Sequence, residues 1–211
     1  MSLPDSFSRR DGRLLTFRAI AIIALYFCAS PAVSKAADAA WISGQIGTQD
    51  WSNGLNWASG IAPGATSGTT NPNTATFGSN TGSTLITIDA GRNLRSLLFS
   101  GTNSLGLYTI GSAGAGLGES LHLSSGGSIL ISPGTLTVTT INAPIILEAA
   151  SGTTAGTYSF TNNATSDDAD PNQFKLNIAG SISGGITTST ITLNLNGSAG
   201  NRSPPDDVER C

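Results

Sequence analysis

The chain has 211 residues, of which only 11% are charged, against 26 glycines and many Ser, Thr and Asn, and its formal net charge is -3. That composition fits neither a helix-rich cytosolic enzyme nor a charge-driven disordered tail, and one ordinary domain is the starting expectation. Five of the ten basic residues (Arg9, Arg10, Arg13, Arg18 and Lys35) lie in the first 36 positions. The remainder is therefore more acidic still and offers little to neutralise phosphates, which argues against a nucleic-acid partner.

In chain order, Arg9 to Arg18 form a positive start, Ala19 to Val33 an apolar stretch, and Ser34-Lys35-Ala36 puts small residues where a signal peptidase reads. These are the parts of a secretory signal peptide over residues 1–36, with cleavage after Ala36 or after Ala39. The apolar stretch is short for a membrane span, so no transmembrane segment is expected in the mature chain. A twin-arginine start at Ser8-Arg9-Arg10 and a lipoprotein site at Cys28 both fit less well, the second because bulky Phe27 precedes the cysteine. The other cysteine is Cys211, so no disulfide framework is expected to hold the body.

All three tryptophans, Trp41, Trp51 and Trp57, fall in residues 37–83. Two readings stay open: the indoles cover the end of the first layer of strands as a cap, or they form a platform that binds sugar rings.

Over residues 84–196, short β-branched or alternating runs follow one another: Thr84 to Ile88, Ser96 to Phe99, Leu107 to Ile110, Ser120 to Leu123, Ile129 to Ile131, Leu136 to Val138, Ile145 to Leu147, Thr157 to Phe160, Phe174 to Ile178 and Thr190 to Leu195. Gly, Ser, Asn or Pro separates most of them, and no helical stripe is sustained. The fold class expected is all-β. Uneven but repetitive spacing suits a β-solenoid, parallel and helix-like, whose insertions leave through turns. The alternative is an antiparallel β-sandwich, which uses similar strand spacing. Thr and Asn alternating with apolar residues in Thr190 to Asn196 favour the solenoid, as does the shortage of large aromatics. Residues 197–211 end in a proline-broken, charged tail that does not read as a polar terminal cap. The expectation is a chain that stops inside a longer array by truncation or a shifted frame, the alternative being a natural flexible tail.

Trp41, Trp51, Asn56, Trp57, Gly60, Pro63, Ala75 and Phe77, followed by Asn93-Leu94-Arg95-Ser96-Leu97-Leu98-Phe99-Ser100-Gly101, resemble the opening of exported bacterial proteins with autotransporter-associated β-strand repeats. The match spans roughly residues 41 to 131 and is compositional beyond. The resemblance implies a passenger-like β-solenoid at or released from the cell surface, with adhesive or structural work and partners among surface polysaccharides or other cell-surface proteins. There is no C-terminal run of alternating apolar strands ending in an aromatic, so the family's anchoring step does not carry over.

Catalytic chemistry has little to work with. His122 is the only histidine and reads as an exposed strand residue between Leu121 and Leu123. A β-helix enzyme would need Asp89, Glu119 or Glu148 to converge with Arg92 or Lys175 in one groove. Asp167, Asp168 and Asp170 cluster in a turn-rich insertion and make a weak calcium candidate without the EF-hand Gly and distal Glu. No enzyme activity, no catalytic residue and no cofactor is expected.

Overall fold

The computed structural model describes residues 37–42, 44–102, 106–113, 118–135, 139–150, 152–164, 176–184 and 190–197. Residues 1–36, expected to be a signal peptide, the strand expected over Leu136 to Val138, the Asp167, Asp168 and Asp170 cluster, Lys175 and all of the tail but Gly197 lie outside the described residues.

Among the described residues thirteen strands occur: β1 (Ala39–Ala40), β2 (Gly47–Asp50), β3 (Thr74–Phe77), β4 (Thr84–Thr87), β5 (Arg92–Phe99), β6 (Tyr108–Ile110), β7 (Leu121–Ile131), β8 (Thr139–Ile141), β9 (Ile145–Leu147), β10 (Ala155–Asn162), β11 (Leu176–Ile178), β12 (Ile182–Gly184) and β13 (Thr190–Gly197). No α-helix is present among them, only a 3-10 turn at Gly54–Asn56. The all-β expectation holds.

The strands form two parallel sheets. One runs β1-β3-β5-β7-β10-β13, with β9 against β7 and β12 against β9, and the other runs β11-β8-β6-β4-β2. The antiparallel sandwich is therefore wrong. Sandwich strands pair through hairpins with their chain neighbours, whereas here every strand pairs parallel with one reached only after intervening strands. Two isolated bridges, Trp41 with Trp57 and Ala65 with Asn93, are the antiparallel contacts among the described residues.

Register converts period-two alternation into columns. Ala39, Ala75, Leu97, Ile129, Phe160 and Leu195 align strand by strand. Ile86, Ile110, Ile141 and Ile178 form a second column, and Arg92, Leu121, Ile145 and Ile182 a third. The inward members make one core, in which Leu97, Ile129, Ile86, Ile110, Ile141, Leu121 and Ile145 are all 0% exposed.

β5 and β7 are longer than the runs expected from sequence because each continues round a bend. Their register shifts between Leu94 and Ser96, so that Arg95 faces the stretch Ser124-Ser125-Gly126-Gly127 on β7. That stretch reads as a turn between two strands, and the structure carries one strand through it. Gly127 makes the bend feasible, since a Cβ there would collide with the Arg95 carbonyl oxygen.

Candidate functional site

The sequence crowds its tryptophans ahead of the first long strands, and the structure packs them against the core. Trp41, Trp51 and Trp57 are 4%, 0% and 1% exposed. Trp57 meets Trp41 edge-on and Trp51 at a tilt, with ring centroids 4.9 Å apart in both cases. Phe77, from β3, lies 5.7 to 5.9 Å from all three and stacks on Phe99 of β5 at 5.1 Å. An aromatic series thus runs from the indoles into the core.

Local chemistry holds this arrangement. Asn53 caps the 3-10 turn by accepting from the Leu55 N–H, and Asp50 accepts from the backbone and hydroxyl of Ser52. Buried Asn56 donates to the Asp50 carbonyl at 2.9 Å. The Trp57 indole N–H donates to the Trp51 carbonyl at 2.8 Å, and that of Trp51 to the Pro63 carbonyl at 3.0 Å. The Trp41 indole N–H is buried without a hydrogen-bond partner. A sugar platform needs open ring faces, and these indoles present none.

Beyond Pro63 the chain folds over the bend of β5 and β7. Ala65 exchanges backbone hydrogen bonds with Asn93, at 3.0 and 2.7 Å. Gly64 adopts φ +85° there, and a Cβ would sit 2.6 Å from the Asn93 carbonyl oxygen, so this close approach requires glycine. Asn93 accepts from the Ser124 hydroxyl and donates to the Gly68 carbonyl, while the Ser124 hydroxyl accepts from the Asn71 N–H. Asn71, Asn93 and Ser124 are buried. Sequence reasoning missed this network, because Asn in a Gly/Thr/Pro-rich segment looks identical whether it faces solvent or a neighbouring strand.

Asp89 and Glu119 lie in adjoining loops, where the Ser120 N–H donates to the Asp89 carbonyl at 3.4 Å and the Ile88 N–H to the Glu119 carboxylate at 2.9 Å. Asp89 pairs with Arg92, whose guanidinium also donates to the Gly64 carbonyl at 3.3 Å. Arg92 occupies the column of Leu121 and Ile145 and closes it on the side of the tryptophans. Glu119 accepts from the Ile88 and Ser112 N–H groups at 2.9 and 2.6 Å, which fastens two loops. Glu148, buried, pairs with His122 Nδ1 at 2.6 Å. His122 faces outward from β7 as its alternation predicts, but it is half-buried and paired where an exposed residue was expected. Each group is thus engaged with a structural partner: Arg92 with Asp89, Glu119 with backbone and Glu148 with histidine. Among the described residues no three His, Cys, Asp or Glu side chains gather closely enough to hold a metal ion.

Burial drives the Tyr108 hydroxyl up to about 12. Tyr158 is likewise pushed up to about 12, by burial first and by the nearby Glu148 charge second. Its hydroxyl donates to the Glu148 carbonyl, and that of Tyr108 to the Gly78 carbonyl at 3.1 Å. Both phenols therefore act as buried donors that tie strands to the loops around them.

Compared with protein-family models, with curated proteins and with solved structures, the chain matches none.

Proposed function

We propose that this chain is an exported, non-catalytic β-solenoid that works at or outside the bacterial cell surface as a structural or adhesive element. The observation that carries the reading is the register itself. The parallel registers join residues 22 to 37 positions apart in sequence, a range that suits stacked coils with turns of uneven length. Stacking of this kind gives reach from short strands, and it tolerates the uneven insertions seen between them. Covered indoles support the cap reading of the tryptophan cluster, and the engagement of Asp89, Glu119 and Glu148 with structural partners supports a role without catalysis. The resemblance to exported proteins with autotransporter-associated β-strand repeats, together with the residue pattern of 1–36, supports the compartment.

Two measurements test it. Expressed from Met1 in a bacterial host, the chain is expected outside the cytoplasm with a new N-terminus at Ala37 or Ala40. A cytoplasmic product that keeps residues 1–36 overturns export. Tryptophan emission of the folded chain is expected to be blue-shifted and indifferent to added cellulose, xylan or peptidoglycan fragments. A saturable change of that emission with one of these polymers would instead make the cluster a sugar-binding site and displace the structural reading.

A further inference from the structure

Two peptide bonds at the start of the body fit a signal peptidase, the one after Ala36 and the one after Ala39, and the strand pairing distinguishes them. β1 lies across the second. Ala39 pairs with Ala75 and Ala40 with Thr76, the Trp41 N–H donates to the Thr76 carbonyl at 2.8 Å, and the Ala58 N–H donates to the Ala40 carbonyl at 2.8 Å. Ala39 is 6% exposed and stands first in the column that continues through Ala75, Leu97 and Ile129. Asp38 adds a contact of its own, its carboxylate accepting at 2.7 Å from the N–H of Thr74, the first residue of β3.

A cut after Ala39 divides this strand. It removes buried Ala39 from its place beside Ala75, takes away the acceptor of the Thr74 N–H, and leaves one residue of a two-residue strand. The loss falls next to the aromatic cluster, because Trp41 follows β1 directly. A cut after Ala36 costs none of this. Ala37 is exposed and precedes β1 by two residues, so a new ammonium group there stays in water and every contact of Asp38, Ala39 and Ala40 is kept.

We infer that the exported chain is processed at the Ala36–Ala37 bond and begins at Ala37, water being added across that peptide bond to leave a carboxylate on Ala36 and an ammonium group on Ala37. Ser34 and Ala36 present small residues to the peptidase as well as Ala37 and Ala39 do, so the sequence leaves the two sites equal. The products are not equal, since the longer one alone keeps β1 whole. The inference rests on the export of this chain, and its test tells the failure of one from the failure of the other.

The full chain is expressed from Met1 in a bacterial host, and the N-terminus of the product is read by mass spectrometry. An exported species beginning at Ala37 is expected. An exported chain beginning at Ala40 overturns the inference and leaves export standing, whereas a cytoplasmic product that keeps residues 1–36 overturns both. Two substitutions sharpen the result. Ala37→Tyr puts a bulky side chain where the second site needs a small one, at a position exposed in the fold. Export with a start at position 37 and a yield within about twofold of the parent is expected, and loss of processing overturns the inference. Ala36→Tyr closes the first site and leaves the second intact. The yield of folded, exported chain is expected to fall about fivefold or more, because a product beginning at Ala40 lacks half of β1. An undiminished yield of folded chain beginning at Ala40 overturns the inference.

Discussion

The two ends of the strand stack use the same alternation and reach opposite outcomes. At the tryptophan end, Ala75 and Phe77 of β3 are 0% exposed because three indoles and a returning loop lie over them. At the other end, Ile191, Leu193 and Leu195 alternate just as regularly, yet they are only partly covered or open. Alternation specifies which side of a strand faces inward. Whether that side is buried depends on the next layer, and at β3 that layer is the two-residue β1 together with the indole side chains.

Phe77→Ala should break this contrast most severely. Phe77 touches all three indoles, Phe99 and Tyr108, so its removal opens a cavity between the aromatic cluster and the core. A loss of about 3 to 5 kcal/mol is expected from a buried Phe to Ala change, measured as a lower urea midpoint with the slope unchanged. A loss below about 1 kcal/mol, within the range of surface substitutions, would mean that the cluster is not part of the core.

Alkaline unfolding comes next in size. Tyr108 and Tyr158 carry folded-state values of about 12 against 10.0 for the free phenol. The folded chain therefore holds these protons more tightly than the unfolded chain does. The resulting stability is fully present below pH 10 and disappears as pH rises from 10 towards 12. Tyr108 contributes roughly 2 to 3 kcal/mol and Tyr158, where solvent screens part of the shift, less. Absorbance at 295 nm should show two phenols ionising together with loss of structure, and ionisation near pH 10 with the fold intact would contradict their burial.

The strands were legible where β-branched alternation ran undisturbed, as at Thr84–Thr87, Tyr108–Ile110 and Ile145–Leu147. Parallel pairing, which the structure shows, was favoured by the Thr and Asn alternation and the shortage of aromatics alone, because parallel stacks and sandwiches share the same period of two. Ser124-Ser125-Gly126-Gly127 looked like a turn, and only pairing on both sides keeps it within β7. Ile182–Gly184 was missed because it is short and glycine-terminated, and Thr74–Phe77 because it was absorbed into the cap. Crowding of the indoles left cap and platform both open, and their burial comes from the structure. The Asn71, Asn93 and Ser124 network that fastens their loop could not be anticipated, since its partners come from β5 and β7, distant in sequence.

Within the aromatic cluster, hydrogen bonding separates two otherwise similar tryptophans. Trp51→Phe removes the donor to the Pro63 carbonyl and leaves that buried oxygen without its partner, whereas Trp41→Phe removes an N–H that has none. Both changes lose indole area. Trp51→Phe should therefore cost about 1 to 2 kcal/mol more than Trp41→Phe, the net worth of a buried hydrogen bond and its orphaned acceptor. Equal losses in urea titrations would mean that the Pro63 bond contributes nothing to stability.

The smallest effect belongs to the open end and completes the comparison with Phe77. Leu195 stands in the column of Leu97, Ile129 and Phe160 but is 73% exposed, so truncating it removes little area from a dry environment. Leu195→Ala should change stability by less than about 0.5 kcal/mol. Ile129→Ala, in the same column at 0% exposure, should cost about 2 to 5 kcal/mol. The ratio between these two losses measures how far the column is closed at each level. A Leu195→Ala loss comparable to that of Ile129→Ala would show that Leu195 is covered in the folded protein, and the two ends would then differ only in what covers them.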